Sequence, residues 1–320
     1  VTGARRTPLY EKHLFGPKLA ELGADRNVAE LVLGALPERF TFDDLERELA
    51  SLDSTRLSPD VARDTVKLVH LLASSNYVVM YPAESVVSER VIFPAGPRET
   101  HGMEDARFVR FVDDDGSVIY YATYTAFDGF EILPQLIETK DFLSFRVATL
   151  NGACAQNKGM ALFPRLIGGK YTMLSRFDRE NSYLMRSDNV RDWSDTQMLR
   201  APMRPWELIQ IGNCGSPIET PAGWLVLTHG VGPMRRYAIG ALLLDLEDPS
   251  QVIAHLPDPL LVPEEDEREG YVPNVLYSCG GMMHRDTLVI PYAFSDAAIK
   301  VAHVQVPDLL DSLREHECDG

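Results

Sequence analysis

Polar and apolar positions follow two different periods along this chain, and the change comes near Asn76. Up to about Ser75 the period is helical. TFDDLERELASL (Thr41–Leu52) sets a capping Thr ahead of apolar residues at helical spacing. Ser58–Asn76 opens with Ser at the cap and Pro at the first helical position, then places Val61, Val66, Val69 and Leu72 on a common side. EKHLFGPKLAELGAD predicts a further helix, interrupted near Gly16–Pro17. Beyond Asn76 the pattern predicts strands. Four segments share one plan of turn, apolar strand and polar strand end: GSVIYYATYTAFDG from Gly116, GKYTMLSRFDREN from Gly169, GWLVLTHGVG from Gly223 and DTLVIPYAFSD from Asp286. They start 53, 54 and 63 residues apart, and each has a partner strand before its turn (ARFVRFV, ALFPRLI, SPIETP, NVLYSCGGMMH). An all-β unit recurring at this length with glycine-marked hairpins predicts propeller blades; a sandwich turns every ~8–12 residues without so long a repeat. The predicted division is an α-helical extension over 1–75, a β-propeller over 76–310 and a C-terminal tail over 311–320.

The repeat also sorts the polar residues. Glu104–Asp105, Asn157–Lys158 and Pro273–Asn274 precede the first strand of a unit. Thr123–Thr125, Arg176, His229 and Asp296 end the second. A hairpin returns the chain to where it started, so both positions fall at one end of every blade, and in a propeller that end faces the funnel. The prediction is a ring holding Asp105, Lys158, Arg176, His229 and Asp296, a mixed site of acids and cations.

Charge sharpens this picture. The 320-residue chain carries a formal net charge of −16, which argues against a nucleic-acid or anionic-membrane partner. An anionic substrate would need a basic pocket set into an acidic body. The chain is 45% hydrophobic, enough for one large core or two smaller ones. No stretch approaches the ~20 apolar residues of a membrane span, and the start is not a signal peptide. It begins at Val1, which reads as a native N-terminus lying further upstream. Cys154, Cys214, Cys279 and Cys318 are far apart, with no CxxC pair or zinc-finger spacing. They read as reduced thiols of a cytoplasmic protein, and no metal site is expected.

EDARF, NKGMALFPRLIGGKYTMLSR, WELIQIGNCGSPIETPAGWLVLTHGV, GALLLDLEDP, VPNVLYSC and PYAFSD, in that order, resemble the motifs of glycoside hydrolase family 130, which holds mannoside phosphorylases and some β-mannosidases on a five-bladed propeller. The likeness runs from about Gly102 to Val306. It implies an inverting reaction in which Asp105 is the general acid, protonating the leaving glycosidic oxygen through a sugar hydroxyl. Inorganic phosphate, or water in the hydrolases, attacks the opposite face. One protein carboxylate then suffices where inverting enzymes usually have two. Three departures stand out: Ala106 replaces a Pro, Lys158 stands where some family phosphorylases have Arg, and Gln210 takes the place of the Lys in the family's WExxKIG. The family's first-blade motif is not found.

Each assignment has a plainer competitor. Asp105 alone would read as an exposed turn carboxylate, and Lys158 and Arg176 as strand-end charges in water. Their matched placement favours anion binding, with His229 as a further phosphate contact against a buried structural histidine. Glu104 reads as binding a sugar hydroxyl or orienting Arg107. Arg107, Tyr124, Asn157, Asn274 and Asp296 read as substrate contacts. Met234–Arg235–Arg236 is discounted as a surface loop, and PEEDEREG (Pro263–Gly270) as a solvated loop from which Glu267 or Glu269 would serve as base in a hydrolase. The expected function is inverting phosphorolysis of β-mannosidic linkages to α-mannose 1-phosphate and a shortened acceptor, a hexosyltransferase reaction with inorganic phosphate as co-substrate and no cofactor. A β-mannosidase and a non-catalytic sugar-binding propeller are the alternatives. The expected partners are a mannose-containing oligosaccharide and phosphate, with the helical extension as a surface for pairing copies of the chain.

Overall fold

The computed structural model describes residues 2–52 and 58–316, so Cys318 and the end of the expected tail lie outside the described residues. Antiparallel β-sheet is the main regular structure, with α-helices gathered before Tyr77 and one more at Val306–Arg314 among the described residues. Two compact units are present. One comprises the chain up to Glu104 with Thr125–Ala155 and Arg191–Ser194; the other comprises Asp105–Tyr124, Gln156–Val190 and the chain from Asp195 onward.

In the first unit, helices Lys12–Glu21, Arg26–Gly34, Phe42–Ser51 and Pro59–Ser74 bury Phe15, Leu19, Val32, Leu45, Val69 and Leu72 in one core cluster. Local chemistry sets their starts. Thr41 and Asp44 form a capping box, the Thr41 hydroxyl accepting from Asp44 N at 3.1 Å while the Asp44 carboxylate accepts from Thr41 N at 2.9 Å. Asp25 caps Val28 N at 3.0 Å. The break expected at Gly16–Pro17 is absent, because Lys12–Glu21 runs continuously through Pro17. The lost backbone hydrogen bond is offset by burial of Leu14, Phe15 and Leu19, and Gly16 lets Leu33 Cδ1 approach to 3.2 Å from where a Cβ would stand.

The N-terminal segment is also not wholly helical. Thr2–Arg6 pairs antiparallel with Tyr77–Met80, which pairs with Ser144–Thr149, which pairs with Ile132–Thr139. Five residues of TGARR are too few and too polar to show a strand period in sequence. Among the described residues no helix is long and apolar enough to cross a membrane.

The second unit is built from the predicted hairpins. Asp195–Arg200, Ser182–Ser187, Tyr171–Ser175 and Ala161–Leu162 follow one another in one sheet. In the next, Gly223–Val231 takes Gln210–Asn213 and Ile218–Thr220 on one side and Tyr237–Leu244 on the other, with Val252–His255 beyond. In the last, Thr287–Phe294 takes Leu276–Tyr277 and Met282–His284 on one side and Ala298–Gln305 on the other. Every residue of Gly223–Val231 is buried, which explains its near-continuous apolar run. Leu225, Leu227, Ile239, Leu243, Leu288 and Ile290 form a core that also takes up Val306, Leu309, Leu310 and Leu313. Regular structure therefore continues to Arg314, past the point where a tail was expected.

Candidate active site

A cleft of about 850 Å³ in the second unit is walled by Asp105, Lys158, Arg176, His229 and Asp296, together with Gln210, Arg235, Tyr237, Tyr277 and Cys279. The predicted ring of acids and cations is therefore brought into one cavity. Backbone conformation explains part of the residue choice. Asp105, Asn157, Asn274 and Asp296 all have positive φ (56, 61, 63 and 50°), the left-handed region in which Asp and Asn are the best tolerated residues after glycine.

Asp105 lies in strand Gly102–Val112. Its Oδ2 accepts from the Tyr277 hydroxyl at 3.2 Å, and the Cys279 Sγ lies 4.0 Å from Oδ1. The Tyr277 oxygen in turn accepts from Arg107 Nη2 at 2.5 Å. Arg107 is 2% exposed, and its Nη1 reaches Met160 O at 3.4 Å. A phenol thus stands between an interior guanidinium and the candidate acid. Burial holds the Tyr277 phenol far above its ordinary range, with Arg107 opposing and Asp105 adding to the rise. Burial also raises the Cys279 thiol to about 11, with Asp105 adding, so this cysteine faces the carboxylate as a neutral S–H.

The same cleft also holds a group of donors. Arg176 follows strand Tyr171–Ser175, and its Nη1 donates to His229 Nε2 at 3.0 Å. Because Nε2 accepts, the neutral imidazole carries its proton on Nδ1. Burial, then the charges of Arg176 and Arg107, push His229 well below its ordinary pKa. The ring lies over Gly212, its partner across the strand pair; a Cβ there would stand 2.7 Å from His229 Cε1. Tyr237 stacks on the ring at 6.2 Å and 11°, and Tyr277 meets it edge-on at 5.1 Å. Oriented with its oxygen toward Arg176, the Gln210 amide accepts from Nη1 at 2.6 Å and donates to Arg179 O at 3.3 Å. Burial lowers the Arg176 pKa, and the nearby Arg107 adds to the effect. Among the described residues, Arg107 Nε and Arg176 Nε are buried donors with no acceptor, while the His229 imidazole has the Asn213 backbone as a partner. Arg176, largely desolvated and with an unmatched N–H, walls the cleft together with Lys158 and His229, an arrangement that can receive an oxyanion.

Other nominated residues are placed elsewhere. Asn157 is turned into a loop, its Nδ2 donating to Phe177 O and its Oδ1 accepting from Arg179 Nε at 2.9 Å. Asn274 contributes its backbone oxygen to Tyr237 N at 3.0 Å. Tyr124 is buried and Glu104 half-buried, and neither walls the cleft, nor do Asn157, Asn274 and Arg107. Lys158 is half-buried at the cleft wall and Asp296 exposed there. Glu267, the alternative base, is 1% exposed and fully engaged, accepting from Lys300 Nζ at 2.8 Å, Tyr292 Oη at 3.0 Å and Glu264 N at 3.0 Å. Neither it nor Glu269 walls the cleft.

Sequence reasoning passed over Tyr277, although it stands in the quoted VPNVLYSC, because nothing in a chain order links it to an Asp 172 residues away. It discounted Arg235, which reaches the cleft from a left-handed backbone (φ 53°). The available signal was the pair Arg235–Arg236 just after the glycine-rich stretch Gly230–Pro233.

The profile of a family described as beta-1,4-mannooligosaccharide phosphorylase (glycoside hydrolase family 130) matches residues 64–315. A 1,2-beta-oligomannan phosphorylase of Thermoanaerobacter sp. is 37% identical over 221 residues, 66% of this chain and 71% of the relative. A beta-1,2-mannobiose phosphorylase of Listeria innocua is 31% identical over 230 residues, and the chain spans only 63% of its length. The structure of the beta-1,2-mannobiose phosphorylase from Listeria innocua in complex with beta-1,2-mannobiose superposes with a TM-score of 0.62 at 29% identity, covering 70% of this chain and 64% of that one. Sequence match, shared fold and the ordered motifs around Asp105 agree, and this chain belongs to glycoside hydrolase family 130.

Proposed function

We propose that the protein catalyses inverting phosphorolysis of β-mannosidic linkages, releasing α-mannose 1-phosphate and a shortened acceptor. The observation that carries this reading is the gathering of Arg176, His229 and Lys158 on the wall of one cleft with Asp105, Arg176 Nε being buried without a partner among the described residues. Phosphate held there presents an oxygen to the anomeric carbon. As that C–O bond forms, the glycosidic C–O bond breaks, and the leaving oxygen takes the proton of Asp105, through a sugar hydroxyl as the family implies. Fixed donors replace the anion's water shell at no reorganisation cost during the step. Lys158 and Arg235 add positive charge at the wall, and Asp296 serves as a sugar-hydroxyl contact. Glu104, Tyr124, Asn157 and Asn274 act in this reading by shaping the surroundings of the sugar.

The named relatives are phosphorylases of β-1,2-mannosides, which makes those linkages the first to test. Hydrolysis is the rival, and the engagement of Glu267 with Lys300 and Tyr292 speaks against its having that base. The reading extends to a five-bladed propeller, supported by successive antiparallel sheets with their polar strand ends on one cleft, to a cytoplasmic location, and to pairing of copies through the helical segment. Incubation with β-linked manno-oligosaccharides, with and without inorganic phosphate, tests the chemistry. Mannose 1-phosphate formed only with phosphate is the expected result. Free mannose at the same rate without phosphate gives the hydrolase, and no product from any linkage gives a sugar-binding module.

A further inference from the structure

Tyr277 has no part in the reaction as described, yet it makes the shortest contacts to the acid. Its single hydroxyl proton has a fixed destination. Arg107 is permanently protonated and donates Nη2 to the phenol oxygen at 2.5 Å. The oxygen is thereby used as an acceptor, and the O–H is left to point at Asp105 Oδ2, 3.2 Å away. The phenol cannot readily ionise, since burial holds its pKa far above neutrality, so this polarity persists through a catalytic cycle. The chain Arg107 to Tyr277 to Asp105 therefore runs in one direction only.

We infer that Tyr277 is a positioning residue for general-acid catalysis, holding Oδ2 of Asp105 as a hydrogen-bond acceptor so that the transferable proton resides on Oδ1. A carboxylic acid has one proton and two oxygens. An oxygen that already accepts a polarised O–H is the poorer place for the proton, so the other one carries it. Among the described residues the hydrogen-bond partner of Oδ1 is the Cys279 thiol at 4.0 Å, a weak one that leaves the proton available. The left-handed backbone of Asp105 (φ 56°) fixes the carboxylate from one side and Tyr277 from the other. Arg107 acts through the same phenol, which gives this interior cation a task in proton placement. The inference rests on Asp105 being the acid.

Tyr277→Phe removes one hydroxyl and keeps the ring that packs on His229. Losing a hydrogen bond to an ionisable carboxyl predicts a drop in kcat of about ten- to a hundredfold on β-1,2-mannobiose at saturating phosphate. The KM for phosphate stays within about twofold, and the loss shrinks toward none with p-nitrophenyl β-mannoside, whose leaving group departs without a proton. The ratio of the two kcat values on one preparation does not depend on the folded fraction, so reduced stability of the variant leaves the result readable. In an Asp105→Asn background, adding Tyr277→Phe lowers the residual mannobiose rate less than about twofold. Equal losses on both substrates, a raised KM for phosphate with unchanged kcat, or an undiminished loss in the Asp105→Asn background would each overturn the inference. Full activity of Asp105→Asn on mannobiose overturns the acid assignment itself; an inactive Asp105→Asn with an unaffected Tyr277→Phe overturns the positioning role alone.

Discussion

Gly212→Ala adds a single methyl group, and its expected effects follow from the position of one ring. The new Cβ would stand 2.7 Å from His229 Cε1, 3.1 Å from Nε2 and 3.4 Å from Nδ1. Gly212 has an ordinary backbone conformation, so the substitution brings no backbone strain. The ring cannot move freely, being stacked by Tyr237 and met edge-on by Tyr277. Accommodation therefore requires either a shift of strand Gln210–Asn213 or rotation of the imidazole away from Arg176. Overpacking of this kind costs about 1–3 kcal/mol, which lowers the melting temperature by roughly 2–10 °C. Rotation also breaks the Arg176–His229 contact of 3.0 Å. A hydrogen bond from a charged donor contributes about 1.5–3 kcal/mol, so the KM for phosphate should rise about ten- to a hundredfold while the mannoside KM changes little.

The assay is phosphate titration at saturating mannoside, paired with thermal melting and a His229→Ala cycle. With the ring removed, the methyl has room, and Gly212→Ala should then cost almost nothing in stability. A wild-type melting temperature together with a wild-type KM for phosphate would refute this account of the donor cluster. So would an undiminished stability cost of Gly212→Ala in the His229→Ala background.

Three further expectations rest on separate features. His229 is neutral in the folded protein because burial and Arg176 depress its pKa, so kcat/KM for phosphate should show no inflection from this residue between pH 6 and 8; its depressed pKa lets stability fall as pH drops below the ordinary value of 6.5, where only the unfolded chain takes up the proton. Asp128 is held at about 2 despite its burial, by the backbone N–H groups of Glu131 and Phe130 and by Arg98; its contribution is present above the ordinary 3.8 and lost as pH falls toward about 2, so acid unfolding monitored by circular dichroism should be flatter in Asp128→Asn. Glu267→Ala should lower stability by about 2 kcal/mol in urea melts, since it strips the acceptor from Lys300, Tyr292 and Glu264 N, while turnover of mannobiose by the folded enzyme changes less than about twofold; loss of turnover with stability intact would return Glu267 to the reaction.

The periods of 2 and 3.6 in side-chain placement were enough to locate the four hairpins and three of the helices, because each of these had one face to bury. The exceptions are physical. Pro17 sits in a continuous helix because burial around Leu14, Phe15 and Leu19 outweighs one lost hydrogen bond. Thr2–Arg6 is a strand only because Tyr77–Met80 offers it an edge. Neither partner is visible in the local sequence.

The repeat by itself determined that Asp105, Lys158, Arg176, His229 and Asp296 would share one end of successive hairpins, since a hairpin's geometry is local and its ends must meet. Their membership of one cleft follows from that rule applied unit by unit. What only the tertiary structure decided is which side chains meet within the second unit: Tyr277 on Asp105, Arg176 on His229, Gln210 on Arg176 and the ring of His229 over Gly212. It also decided that Asn157 faces a loop and that Glu267 is spent on Lys300 and Tyr292. Such contacts join residues far apart in the chain, and they depend on ångström-scale distances and on desolvation. Composition and spacing carry no record of either, because both arise only where strands distant in the chain pack together.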